Sequence, residues 1–224
     1  MNKNLIKEKL RSGKDVIGLF QNIINPNITE IMGILGFDFV IIDGEHTTFN
    51  PNLAEEHYRA AELRNISTIT RIGQNDQQVI QKFLDAGSQG VLMPLINNKS
   101  DALSVVDSVK YPPVGKRGLA SGRGSAYGIP QSVGEHVDSS NQETLVAIQI
   151  ETMEAMGKVE EISSIKEVDV LFFGPSDISS TFGIHGQIDN PKVRDTIINL
   201  SKIAIANGKS CGTIARDINA FKFY

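Results

Sequence analysis

Leu145-Val146-Ala147-Ile148-Gln149-Ile150-Glu151 is an apolar run, rich in β-branched residues, that closes on an amide and a carboxylate two positions apart. A stretch this apolar suits a parallel strand covered by helices on both faces, since a half-exposed strand would alternate with polar residues. Residues two apart on a strand share a face, so Gln149 and Glu151 point one way while Ile148 and Ile150 point the other. A carboxylate and an amide placed together on an interior face need partners that offset their lost hydration.

Six further runs read the same way: residues 16–20, 38–43, 67–71, 90–94, 168–173 and 209–213. Helical patterns fill the gaps. Asp76 can cap a helix carrying Val79, Ile80, Phe83 and Leu84 on one face and ending near Gly87. Ser100 can cap another, with Leu103, Val106 and Val109 inward and Pro112-Pro113 as its stop, and Pro191 opens a third with Val193, Ile197, Leu200 and Ala204 running toward Gly208. Strand then helix, repeated, predicts a parallel sheet. Seven repeats in one domain, 1–224, point to a (β/α)8 TIM barrel more than to an open sheet, and no G-x-G-x-x-G follows any strand to favour a dinucleotide fold. The expected eighth strand and helix are not in this sequence, so the barrel is expected to be short at its C-terminal end. Residues 114–143 form a long Gly- and Ser-rich excursion with room for a short helix; a loop of that length is usually functional or an oligomer contact.

The composition, 40% hydrophobic and 21% charged, is that of an ordinary soluble globule. A net charge of −4 and the lack of a basic stripe argue against a nucleic-acid partner. No apolar stretch approaches ~18 residues, and Met1 to Leu10 alternates charged with apolar positions, so neither a membrane span nor a signal peptide is expected. The lone Cys211 allows no internal disulfide and suits a reducing cytoplasm.

Catalytic groups in a barrel gather where strands end, and the polar residues of interest fall there. Glu151 ends the fifth run and Asp177 follows the sixth, in the first turn of the next helix; neighbouring strands would let both reach one ion. Two carboxylates without nearby His or Cys suit Mg²⁺ or Mn²⁺, although Asp177 as a helix cap and Glu151 in a salt bridge would account for both equally well. Arg71 ends the third run, where a guanidinium either holds a developing oxyanion or makes a surface ion pair. Asp43-Gly44-Glu45-His46 follows the second run, and His46 has a suitable pKa for a base. Asp85 lies near a helix C-terminus, where the helix dipole disfavours an anion. Gly174-Pro175-Ser176 opens a helix whose first N–H groups can take a carboxylate. No lysine stands at the C-terminal end of a predicted strand, so Schiff-base chemistry has no candidate. His57, His136 and His185 are scattered and read as surface residues.

Together with Leu84-Asp85-Ala86-Gly87, Tyr111-Pro112-Pro113 and Arg117-Gly118, these motifs resemble, in order from about Val16 to Ala215, the HpcH/HpaI family of metal-dependent aldolases. The resemblance implies a barrel of the phosphoenolpyruvate/pyruvate type and a class II aldolase. Glu151 and Asp177 would hold Mg²⁺ or Mn²⁺, with no organic cofactor. Gln149 and the backbone around Pro175 and Ser176 would bind pyruvate, and Arg71 would stabilise the enolate oxygen. His46 would be the base, oriented by Asp43 and made more basic by Asp85. The partners implied are a small 2-oxo acid and an aldehyde, in a cytoplasmic homo-oligomer, a hexamer or dimer-based assembly. Alternatives are a related CoA-thioester lyase or oxaloacetate decarboxylase, a non-catalytic subunit, and a phosphate-binding barrel.

Overall fold

Apolar runs become strands because their β-branched residues can be covered on both faces, and all seven predicted strands form in the computed structural model, which describes residues 3–129 and 131–224. Met1 and Asn2, at the head of the charged N-terminal stretch, and Pro130, within the excursion 114–143, lie outside the described residues. By its internal contacts the chain falls into two compact units, Met1–Met93 with Ser104–Val146, and Pro94–Leu103 with Ala147–Tyr224.

In the first unit, α1 (Leu5–Arg11) precedes β1 (Gly18–Gln21), α2 (Pro26–Ile34), β2 (Phe39–Asp43), α3 (Pro51–Leu63), β3 (Ser67–Arg71), α4 (Gln77–Ala86) and β4 (Gly90–Met93). The strands run parallel in the order β1-β2-β3-β4. The register of β2 against β3 sets Phe39 beside Ser67 and Asp43 beside Arg71, so one strand end carries a carboxylate and a guanidinium side by side. Val40, Ile42, Ile80, Val91 and Leu92 are buried; each such side chain stabilises the fold by roughly 1.5–3 kcal/mol. Asp76 caps α4 as the spacing predicts, its carboxylate accepting from Gln78 and Val79 N–H at 2.9 and 3.0 Å. Gly87 ends that helix at φ +121°, a conformation open to glycine.

α5 (Lys99–Val109) begins one residue before the predicted cap. Asn98, not Ser100, makes the capping bond, to the Asp101 N–H at 3.0 Å, and the buried face is Ala102, Val105, Val106 and Val109 while Leu103 points outward. The predicted helix inside 114–143 is α6 (Val133–Glu143), closed at its start by a reciprocal Ser132–Glu135 capping box. Its C-terminal carbonyls are held by two buried ammonium groups. Lys110 donates to Asn141 and Thr144 carbonyls at 2.9 and 2.7 Å, and Lys7 reaches the Thr144 carbonyl at 3.1 Å. His57 and His136, read as surface residues from their scatter, are both buried, because each lies on the inward stripe of its helix.

β5 (Leu145–Ile150) belongs to the second unit from Ala147 on, and there it, β6 (Val170–Phe173) and β7 (Ser210–Thr213) are parallel neighbours, Ile150 beside Phe173 and Phe173 beside Thr213. α7 (Met153–Met156) and α8 (Val159–Ser163) lead to β6, and α9 (Pro175–Thr181) and α10 (Pro191–Ala206) to β7, before α11 (Ile218–Phe223). Pro191 opens α10 as expected, with Asn190 as cap, and Val193, Ile197 and Ala204 bury its apolar stripe. Among the described residues no helix is long and apolar enough to cross a membrane.

Candidate functional site

The chemistry-bearing residues stand in two groups, one in each unit. In the first, Asp43 is completely buried at the end of β2 and meets Arg71 at the end of β3 through two bonds, Nε to Oδ1 at 2.9 Å and Nη2 to Oδ2 at 2.7 Å. Arg71 is itself buried, so it is no surface ion pair, and its guanidinium lies 4.9 Å from the Phe20 ring centroid. Burial pushes the Asp43 carboxyl upward; the hydrogen bonds and charge of Arg71, with backbone N–H donors, outweigh this and hold it below the ordinary value.

The same Asp43 folds the turn that follows. Its Oδ1 accepts the backbone N–H groups of Glu45 and His46, both at 3.2 Å, and its carbonyl accepts the Thr47 hydroxyl. Asp43 therefore fixes His46 through the backbone. Gly44 donates to the Arg71 carbonyl at 2.8 Å, and a Cβ there would stand 2.9 Å from that oxygen, which is why the turn needs glycine. The His46 imidazole is exposed, and the carboxylate facing it is Glu45, 3.6 Å away, which also stands 3.3 Å from Arg71 Nε. The motif spelling puts Glu45 in the turn but carries no sign that it faces both Arg71 and the His46 ring; that follows from the turn's geometry.

Asp85, near the end of α4, pairs with Arg117 Nη2 at 2.7 Å, and the Arg117 guanidinium in turn stacks 4.5 Å above Tyr111. Arg117 is the partner that spacing alone did not reveal. A cleft of about 430 Å³ in this unit is lined by Arg117, Arg123, Tyr127 and His136 among others, and by none of Asp43, Glu45, His46 or Arg71.

In the second unit, Gln149 on β5 and Glu151, the residue that follows the strand, meet as their spacing predicts, and the Gln149 amide donates to Glu151 Oε2. Glu151 Oε1 accepts the Leu95 N–H at 2.9 Å. Leu95 holds a left-handed backbone, φ 55°, which costs a non-glycine residue about 1–2 kcal/mol and delivers that N–H to the carboxylate. Asp177 lies in the first turn of α9, whose N-cap Gly174 makes no side-chain cap. A Cβ on Gly174 would sit 3.2 Å from Gln149 Nε2, 3.2 Å from Glu151 Oε2 and 3.5 Å from Asp177 Oδ2. Three polar atoms thus surround the space that glycine leaves open, and Gln149 Oε1, on the same amide, is buried with no hydrogen-bond partner among the described residues.

That donor set fits a hard divalent cation. Among the described residues no cluster of three or more His, Cys, Asp or Glu gathers as a metal cage, so a cation held by Glu151 and Asp177 would keep most positions for water and ligand oxygens, as Mg²⁺ commonly does. Pro175 lacks an N–H, which leaves Ser176 and Asp177 as the first donors of α9.

Comparison with known proteins adds an independent finding. The family model described as HpcH/HpaI aldolase/citrate lyase matches residues 16–222. The chain is 34% identical over 211 residues to the hydroxypyruvate/pyruvate aldolase of Sagittula stellata, covering 92% of this chain and 82% of the relative. It is 32% identical over 214 residues to the 4-hydroxy-2-oxo-heptane-1,7-dioate aldolase of Salmonella typhimurium, covering 95% and 80%. The crystal structure of the HpcH/HpaI aldolase from Desulfitobacterium hafniense superimposes with a TM-score of 0.91 at 31% identity, over 97% of this chain and 85% of that one.

Proposed function

The chain belongs to the HpcH/HpaI aldolase/citrate lyase family, and from that premise we infer that it is a divalent-metal-dependent aldolase cleaving a 4-hydroxy-2-oxo acid to pyruvate and an aldehyde. The observation that carries the reading is the convergence of Gln149, Glu151 and Asp177 on the space above Gly174. The substrate class agrees with the names of the relatives, a hydroxypyruvate/pyruvate aldolase and a 4-hydroxy-2-oxo-heptane-1,7-dioate aldolase. We read the fold as a single (β/α) barrel domain of the phosphoenolpyruvate/pyruvate type, in a cytoplasmic homo-oligomer.

Glu151 and Asp177 would hold Mg²⁺ or Mn²⁺, which supplies a positive charge for the keto oxygen of the substrate. The residues of the chain do the rest. Gln149 orients the 2-oxo acid with its amide, and the backbone at Pro175 and Ser176 takes the carboxylate. Arg71, held rigid by Asp43, presents its remaining guanidinium corner to the oxygen on which charge develops. His46 accepts the proton of the 4-hydroxyl in cleavage and returns one to the pyruvate carbon. Asp85 is assigned to raise the basicity of His46, and its Oδ1 is engaged by Arg117.

The deciding experiment is pyruvate release from a 4-hydroxy-2-oxo acid by metal-stripped protein, with and without added Mg²⁺ or Mn²⁺. Release that depends on the metal is the expected result. Release undiminished in excess chelator rules out the metal mechanism, and none from folded, metal-loaded protein turns the assignment to a thioester lyase.

A further inference from the structure

Around the turn after β2, two carboxylates face one guanidinium. Asp43, fully buried, takes both the Nε and Nη2 corners of Arg71, so this pair is internally neutral. Glu45 is then a surplus negative charge. Its carboxylate is largely covered, with a side-chain exposure of 15%, and stands 3.3 Å from Arg71 Nε and 3.6 Å from His46 Nε2. Gly73, in the loop after β3, backs it closely: a Cβ there would meet Glu45 Cα and Cγ at 3.3 Å. The turn therefore sets beside the imidazole a carboxylate in excess of the one guanidinium that Asp43 and Glu45 share.

We propose that Glu45 is the positioning carboxylate of His46 and the counter-ion of the imidazolium that forms when His46 takes a proton. The inference rests on the aldolase reading for its catalytic consequence and on geometry alone for the pairing. In the pyruvate half-reaction a methyl C–H bond breaks, its proton goes to His46, and its electron pair enters the enolate, whose charge falls on the former keto oxygen. His46 changes from neutral to cationic in that step, and Glu45 lies at ion-pair distance to receive the charge. The charged groups set near the ring are Glu45 in its own turn, at 3.6 Å, and beyond it Arg71, which Asp43 engages; Asp85, assigned above to the basicity of His46, is bound to Arg117. Because Asp43 offsets Arg71 and Arg117 engages Asp85, the removable charge is Glu45.

The test is an NMR titration of the His46 imidazole in metal-free protein, comparing wild type with Glu45→Gln and Glu45→Asp. The His46 pKa should fall by roughly half a unit to one unit in Glu45→Gln and by less in Glu45→Asp. In metal-loaded protein, deuterium exchange into the pyruvate methyl group should slow about tenfold in Glu45→Gln with KM unchanged, and the acid limb of its pH profile should move down with the His46 pKa. An unchanged His46 pKa in Glu45→Gln overturns the proposal. Should wild type show no metal-dependent exchange, the aldolase reading fails, while the titration still decides the pairing of Glu45 with His46.

Discussion

Asp43 and Arg71 are register partners on adjacent parallel strands and form a two-point ion pair in which the carboxylate has no exposure to solvent. One interaction serves two purposes. It offsets the burial of a charge, and it ties the orientation of Arg71 to the turn carrying Glu45 and His46, because the same Asp43 oxygen accepts both of their N–H groups. Removing the guanidinium leaves a buried carboxylate with only neutral donors, the Asn22 amide at 3.2 Å and the backbone N–H groups of the turn. Arg71→Ala should therefore destabilise the protein by about 3–5 kcal/mol in urea denaturation, and Arg71→Lys by less. A loss under 1 kcal/mol for Arg71→Ala would show that water reaches Asp43 and that the pair does not support the turn.

Gly174 invites a substitution that fills a site without disturbing its backbone. Its φ of −84° accommodates alanine, yet the added methyl group would lie between Gln149, Glu151 and Asp177. Gly174→Ala should fold normally and weaken Mn²⁺ binding at least tenfold by calorimetry, since one carbon occupies space a cation coordinated by Glu151 and Asp177 requires. Wild-type Mn²⁺ affinity in that variant would place the metal elsewhere.

His57 gives the fold a pH dependence of its own. The ring is fully buried, with Nδ1 2.7 Å from the Thr29 hydroxyl, the Phe49 ring edge-on at 4.8 Å, and no partner for Nε2 among the described residues. Burial lowers its pKa to about 4 from 6.5. Between those values the unfolded chain binds a proton that the folded one refuses. The neutral-ring contribution is therefore fully present above pH 6.5 and is lost as pH falls toward 4, by up to roughly 3 kcal/mol. His57→Gln should flatten the fall in urea stability between pH 6.5 and 4; an unchanged slope would assign that loss to other groups.

Much of this architecture was legible beforehand because strand and helix formation are local. The runs ending at Asp43, Arg71 and Glu151 became strands, and Asp76, Gly87 and Pro191 punctuated helices, through steric and hydrogen-bonding preferences that act within a few residues. Where a competing local group existed, the reading slipped: Asn98 took the cap expected of Ser100, and Leu103 turned outward as Ala102 and Val105 filled the interior. The two histidines were misread because one isolated polar residue in an inward stripe does not show whether its ring is covered.

By itself the sequence determined the residue types at the strand ends and, through the period of two, that Gln149 and Glu151 share a face. The pairings were decided by tertiary structure. Parallel register set Asp43 against Arg71, the turn at Gly44 brought Glu45 to His46, the loop after β4 supplied the Leu95 N–H to Glu151, and Arg117 came to Asp85 across 32 residues. Spacing fixes direction along one element, whereas a charge pair depends on distance through space, and only packing brings separate elements within 3 Å.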